Sequence, residues 1–144
     1  MKDISLAIPD AAAFDRGLVG ELQRAVGHVV VTTTQKARSE HRWQDRTGAT
    51  RASIEGAVSD TSNGATGEIT AGENASRLND GTRPHVIEAR NAPALRFSVG
   101  GQMRFARRVN HPGTKPDPFL DAAANAAGEE IERAVEHAID EALG

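Results

Sequence analysis

The chain has 144 residues, a formal net charge of -3, no cysteine and no tyrosine, with one Trp and four Phe. That length predicts one domain with a modest core built from Ala, Val, Leu and Ile. The absence of cysteine excludes disulfide scaffolds, thiolate metal sites and thiol catalysis, and the overall charge gives no general affinity for nucleic acid or acidic lipid.

No apolar run approaches the ~20 residues that span a bilayer. The N-terminal stretch is broken by Pro9 and too short for a signal peptide, which predicts synthesis in the cytoplasm and no membrane partner. Residues 1–13 read as an extended arm, with Asp10 as the N-cap of the first helix. From Phe14, the positions Leu18, Leu22, Ala25, Val26, Val29, Thr33 and Ala37 fall on one stripe, predicting a long helix over 14–43. At 1.5 Å per residue it would run on the order of 40 Å. Within it, Val29 to Thr34 is a β-branched run that lowers helix propensity, so a strand is the local alternative.

Gly48 is read as the stop, and residues 45–51 as a polar loop. Antiparallel strands with a protruding loop are expected over 52–109. Ser53 to Ser59 and Ala65 to Ala71 flank an Asn-Gly turn at Asp60 to Gly64. Gly72, Glu73 and Asn74 then break the chain, leaving one helical turn at Ala75 to Asn79. His85 to Ala89, Leu95 to Val99 and Met103 to Val109 read as strands, with Gly100-Gly101-Gln102 as a tight turn. Phe97 and Phe105 suit core positions on a strand face. Pro112, Pro116 and Pro118 force an extended path. Asp117 is the expected cap of a C-terminal helix over 118–143, whose stripe is Leu120, Ala123, Ala127, Ile131, Val135, Ala138, Ile139 and Ala142. Small residues on that stripe predict close packing on the first helix. The fold class is therefore α+β, a small antiparallel sheet packed against a long N-terminal helix and a C-terminal helix.

Charge is unevenly placed. Arg77, Arg83, Arg90, Arg96, Arg104, Arg107, Arg108 and Lys115 are opposed only by Asp80 and Glu88, whereas after Pro116 eight acidic residues face a single Arg133. A basic middle and an acidic tail attract each other within a subunit or between copies; two solvated faces are the plainer reading. Gly-Gly-Gln at 100–102 is also the tripeptide of peptide-release factors, but two glycines between strands are sufficiently explained as a turn. The histidines His28, His41, His85, His111 and His137 show no metal-ligand spacing, and no Gly-x-Ser-x-Gly elbow is present, so no catalytic, metal or cofactor site is expected. The residues singled out are interface candidates: Gly81, Thr82, Arg83, Pro84, His85, Arg104, Arg107, Arg108, His111, Pro112, Pro118 and Phe119. A rigid Gly-Thr-Arg-Pro loop beside an unpaired edge suits a surface that a second copy covers.

Three short motifs in order resemble the small neck, or tail-completion, proteins of long-tailed bacteriophages, the lambdoid HK-type minor tail component. Thr47-Gly48-Ala49-Thr50-Arg51-Ala52-Ser53-Ile54 is similar to the family's Thr-Gly-x-Leu-Arg-x-Ser-Ile. Gly81-Thr82 resembles its Glu-Phe-Gly-Thr element, with Asp80 in place of the aromatic, and Asn74-Ala75 stands where Tyr-Ala is usual. Pro118-Phe119-Leu120 resembles its Pro-Phe-Leu-x-Pro-Ala element, without the second proline. The resemblance implies a virion structural protein and not an enzyme. Such a protein is a homo-oligomeric ring at the head-tail junction, meeting other connector and tail proteins, with DNA passing non-specifically through the lumen. Rings of six and of twelve both fit it. The segment from Gly81 to Pro116 would be one patch, and a helical face of the next copy the other. A tail terminator is the nearest alternative, and a small nucleic-acid-binding regulator the alternative from another class. A hydrolase would need a cleft with paired catalytic groups.

Overall fold

A computed structural model describes residues 2–7, 16–62 and 64–143. The fold is α+β. A three-stranded antiparallel sheet consists of β1 (Lys2–Ala7), β2 (Glu55–Asp60) and β3 (Ala65–Ala71) in the order β1-β3-β2. Helices α1 (Arg16–Ser39) and α4 (Phe119–Leu143) pack on each other and cover one face of the sheet. The expected cap Asp10, the stripe residue Phe14 and the turn residue Asn63 lie outside the described residues.

Sheet and helix layers meet because side chains alternate along each strand. Ile4 and Leu6 of β1, and Ala65, Gly67, Ile69 and Ala71 of β3, face the helices. From α1, Leu18, Leu22, Val26, Val29, Val30, Thr33 and Ala37 are buried, with Val26 and Val30 set against the sheet and Thr33 beside Ala127 of α4. The β-branched run is helical despite its local preference, because the sheet is shaped to receive it. A Cβ added at Gly67 would lie 2.4 Å from Val30 Cγ2, and one at Gly56 would lie 2.7 Å from Val30 Cγ1. Two strand glycines thus let the helix seat on the sheet, and tertiary packing overrides propensity. The hydroxyl of Thr34 donates to Val30 O at 2.7 Å, so even the polar β-branched side chain is satisfied inside the helix.

The first helix ends at Ser39, a turn short of the expected end at Trp43. Arg38 then reaches Ile54 O with its Nε at 2.8 Å, and the Arg42 amide donates to Asp117 Oδ2 at 2.7 Å. Those tertiary bonds draw the chain off the helix axis. A short helix, α2 (Ala49–Ala52), forms inside the expected polar loop. Asp45 builds it by accepting from the amides of Gly48 (2.9 Å) and Arg51 (2.8 Å). Helix α3 (Glu73–Asp80) is twice the single turn expected. It runs between Gly72, in extended conformation, and Gly81 at φ 77°, so the supposed breaker at 72–74 is a helix start.

The chain from Thr82 to Thr114 leaves this body as a two-stranded ribbon. It comprises β4 (His85–Glu88), β5 (Leu95–Val99), β6 (Gln102–Ala106) and β7 (Arg108–His111). β4 pairs with β7 and β5 with β6, and Thr82 bridges to Thr114 at the root. Ala89 N donates to Arg107 O at 2.9 Å, and the next pair is Leu95 with Ala106. Residues 90–94 therefore bulge out of one continuous ladder. Gly100 (φ 57°) and Gly101 (φ 78°) close its tip, the pair of positive φ values that a two-residue type I′ hairpin turn requires. At ~3.3 Å per residue the ribbon is about 40 Å long.

Candidate functional site: the arginine ribbon and its root

The ribbon makes no more than glancing contact with the helices or the three-stranded sheet. Between Thr82 and Thr114 it carries six arginines against Glu88 alone. Among the described residues, no ion pair joins these arginines to α4; Arg108 pairs with Glu88 across the ribbon at 3.8 Å. Among the described residues, the basic ribbon and the acidic tail therefore do not pair with each other.

The two phenylalanines expected in the core are on this ribbon. Phe105 is 67% exposed and Phe97 half-buried. Among the described residues no second layer covers either face of the ribbon, so strand alternation here sorts residues between two exposed sides. Leu95, Phe97 and Val99 share one side with Ala106, Arg104 and Gln102, and Arg96 and Ser98 share the other with Phe105 and Met103. Val86, Val99 and Met103 are exposed as well. The result is a strip on which apolar and cationic side chains alternate.

The root is rigid. Gly81 abuts the opposite strand so closely that a Cβ would sit 2.7 Å from Thr114 O and 2.9 Å from the Pro116 ring. Thr82 and Thr114 exchange backbone hydrogen bonds of 3.0 and 3.1 Å, and Thr114 N also donates to Thr82 Oγ1 at 3.0 Å. Gly113, at φ 85°, packs as tightly on the other strand, 2.4 Å from Thr82 O for an added Cβ. Next along the ladder the rings of His85 and His111 stack at 4.9 Å. His85 Nδ1 donates to Arg83 O at 2.8 Å, and His111 Nδ1 accepts from Gly113 N at 3.0 Å.

Beneath the root, Asn79 ties the segment to α4. It is 1% exposed; its Oδ1 accepts from Leu120 N (2.9 Å) and Asp121 N (3.3 Å), while its Nδ2 donates to Asp80 and Asp121. Asn79 caps α4 from a distant helix, whereas Asp117, the expected cap, is engaged with Arg42. Lys2 joins the same cluster through Asp80 and Asp121. The Asp80 carboxyl is held below the usual aspartate value, first by the Lys2 hydrogen bond and then by Asn79, and Lys2 is raised above its own, first by Asp80.

Arg83, Pro84, His85, Arg104, Arg107, Arg108 and Pro112 are exposed and Thr82 and His111 half-buried, all on the ribbon, with Gly81 at its root. Pro118 is exposed at the start of α4. Phe119 is not a surface contact. It is 4% exposed, set edge-on to Trp43 at 5.3 Å and to His41 at 6.0 Å, and anchors the base from within the core. An open cleft of about 380 Å³ lies beside it, lined in part by Arg42, Trp43, Leu78 and Pro116. The three motifs come together on α3: Asn74 Nδ2 donates to Thr50 Oγ1 at 2.7 Å, Gly81 comes directly after its last turn, and Asn79 holds Leu120.

Sequence reasoning passed over Asn79, Val31 and Val58. Asn79 was hidden inside a segment read as one unimportant turn, and the exposed valines sit where periodicity alone cannot tell an outer face from an inner one. No helix among the described residues is long and apolar enough to cross a membrane. Comparison with known proteins found no matching family model, no matching curated protein and no matching solved structure.

Proposed function

We propose that this chain is a structural subunit of a long-tailed phage virion, a neck or tail-completion protein whose copies form a ring at the head-tail junction. The ribbon carries this reading. It is built rigidly at its root, projects about 40 Å, exposes Phe105, Met103, Val99 and Val86, and barely touches the other described elements of its own chain. Exposed apolar side chains concentrated on one projecting element mark a surface that a neighbour covers. A ring needs a head-to-tail joint, in which each copy presents two different complementary patches. The six-arginine ribbon supplies one, and acidic surface on the next copy supplies the other. The ordered Thr-Gly, Gly-Thr and Pro-Phe-Leu motifs support the family, and the tail terminator is the variant of the same reading one step along the tail.

The test is the solution mass by light scattering behind a sizing column, with and without portal and tail-tube proteins. A closed oligomer, or a monomer that becomes a ring only with those partners, is the expected result. A monomer indifferent to both would overturn the reading.

One observation favours a second reading. Phe97 lies directly opposite Arg104, and Phe105 opposite Arg96, so aromatic and cationic groups are interleaved on an exposed ribbon as in single-strand nucleic-acid platforms. A nucleic-acid-binding regulator would bind DNA at useful affinity with a steep loss on adding salt.

A further inference from the structure

We infer that the free edge of β2 is the seat for the ribbon of a second copy, with β6 of that copy adding beside β2 as a fourth strand. The inference rests on the ring reading and names its joint. Among the described residues β2 is hydrogen-bonded on one side only and all six of its residues are exposed; between its charged ends, Glu55 and Asp60, the edge Gly56 to Ser59 carries neither a charge nor a proline to protect it.

The two faces flanking that edge differ, and β6 matches both. On the helix side, Gly56 leaves a groove of about 250 Å³ against α1, lined by Val30, Val31, Thr34, Gln35 and Arg38, whose guanidinium is engaged with Ile54 O. Val31 is 55% exposed, and Val58, two residues after Gly56 on the same side, is also exposed. On the other side of the sheet lie Glu55, Glu68 and Asp3, with no basic residue among the strand positions of that face. An added strand sends alternate side chains to opposite faces. With Met103 and Phe105 turned into the valine groove, Arg104 falls on the acidic face. Among the described residues β6 is itself paired on one side only, which leaves its outer edge for a second copy.

The placement is head-to-tail. The ribbon leaves the body at Gly81, directly after Asp80, which pairs with Lys2 at the β1 edge. β2 is the opposite edge of the same sheet. Donor and acceptor therefore lie on different sides of one subunit, the arrangement from which rings close.

Because the chain has no cysteine, introduced pairs report contact cleanly. Phe105→Cys with Val31→Cys, and Met103→Cys with Val58→Cys, should give a disulfide-linked ladder under mild oxidation of the assembled protein. Single variants mixed together should stop at dimers. Phe105→Cys with Glu132→Cys, which samples the acidic face of α4, should give none. Val31→Glu should weaken self-association at least about tenfold while leaving the melting temperature of the monomer unchanged. A ladder from the Glu132 pair alone would overturn the β2 seat and leave the ring standing. A chain that stays monomeric with portal and tail-tube proteins present would remove both.

Discussion

Asn79 Oδ1 accepts the backbone N–H of Leu120 at 2.9 Å, so the last turn of α3 caps the first turn of α4 across 41 residues of sequence. The ribbon is the chain between them. Its root is therefore held by the same side chain that starts the C-terminal helix.

Asn79→Ala removes the cap and leaves buried amide groups of α4 without a partner. The cost should be about 1–3 kcal/mol by denaturant titration, with lowered protection of the first-turn amides of α4. Asn79→Asp keeps an acceptor but puts a third carboxylate against Asp80 and Asp121. It should recover only part of the loss at neutral pH. A wild-type midpoint in Asn79→Ala would show that the cap contributes nothing.

The seating of α1 gives a second test. Gly67→Ala places a methyl where Val30 Cγ2 stands at 2.4 Å, with Val26 Cγ1 at 3.1 Å. Valine side chains are stiff in a helix, so overpacking should destabilise by about 1–3 kcal/mol. Val30→Ala alone leaves a cavity in the same place. The double variant should be more stable than the two single losses predict, a coupling read from a double-mutant cycle. Additive losses would mean that Val30 does not rest on Gly67.

The Lys2–Asp80 pair sets a pH dependence with two limbs. Asp80 is lowered, first by the Lys2 hydrogen bond, so its contribution is present above the ordinary aspartate value and is lost as pH falls through its folded value, below about pH 4. Asp45 is lowered by the Arg51 amide and adds to the same limb. Lys2 is raised, so its contribution is present below 10.5 and lost as pH rises through its folded value. Asp80→Asn should flatten part of the acid limb of the melting temperature as pH falls below the ordinary aspartate value. Amide exchange at Ile4 and Leu6 should report whether β1 loosens first. An unchanged acid limb would separate this pair from stability.

Both long helices were legible because Leu18, Leu22, Val26 and Val29, and again Leu120, Ala123 and Ala127, recur at steps of three and four and are buried as that spacing requires. The hairpin of β2 and β3 was legible from its turn. The rest depended on partners distant in sequence. Residues 2–7 read as an arm because nothing local shows that Ile4 pairs with Ile69. The true cap of α4 is 41 residues away from Leu120 in the chain, while a good local candidate, Asp117, is used elsewhere. Phe105 was assigned to a core because alternation tells that a strand has two sides, not that either is covered. The ribbon itself was visible as strands and turns, but its projection depends on the absence of a second layer, which no residue within it encodes. The ribbon was thus legible as a segment, and Phe119, expected on its surface, is buried because a proline-led loop and a buried anchor share the same local signature.

Excision of the ribbon separates its role from that of the body. Thr82 and Thr114 already face each other across a bridge with hydrogen bonds of 3.0 and 3.1 Å. Replacing residues 83–113 by Asn-Gly should close that bridge with a two-residue turn. The shortened chain should keep its helical circular dichroism, since α1, α4 and the β1-β3-β2 sheet draw no more than glancing support from the ribbon. Its melting temperature should stay within a few degrees of the parent monomer, because exposed strands remove little apolar area from water. Self-association and assembly with portal or tail-tube protein should be lost together. If the excised chain unfolded, the ribbon would be part of the core's stability; if it still formed rings, the joint would lie in the body and the ribbon would serve another partner.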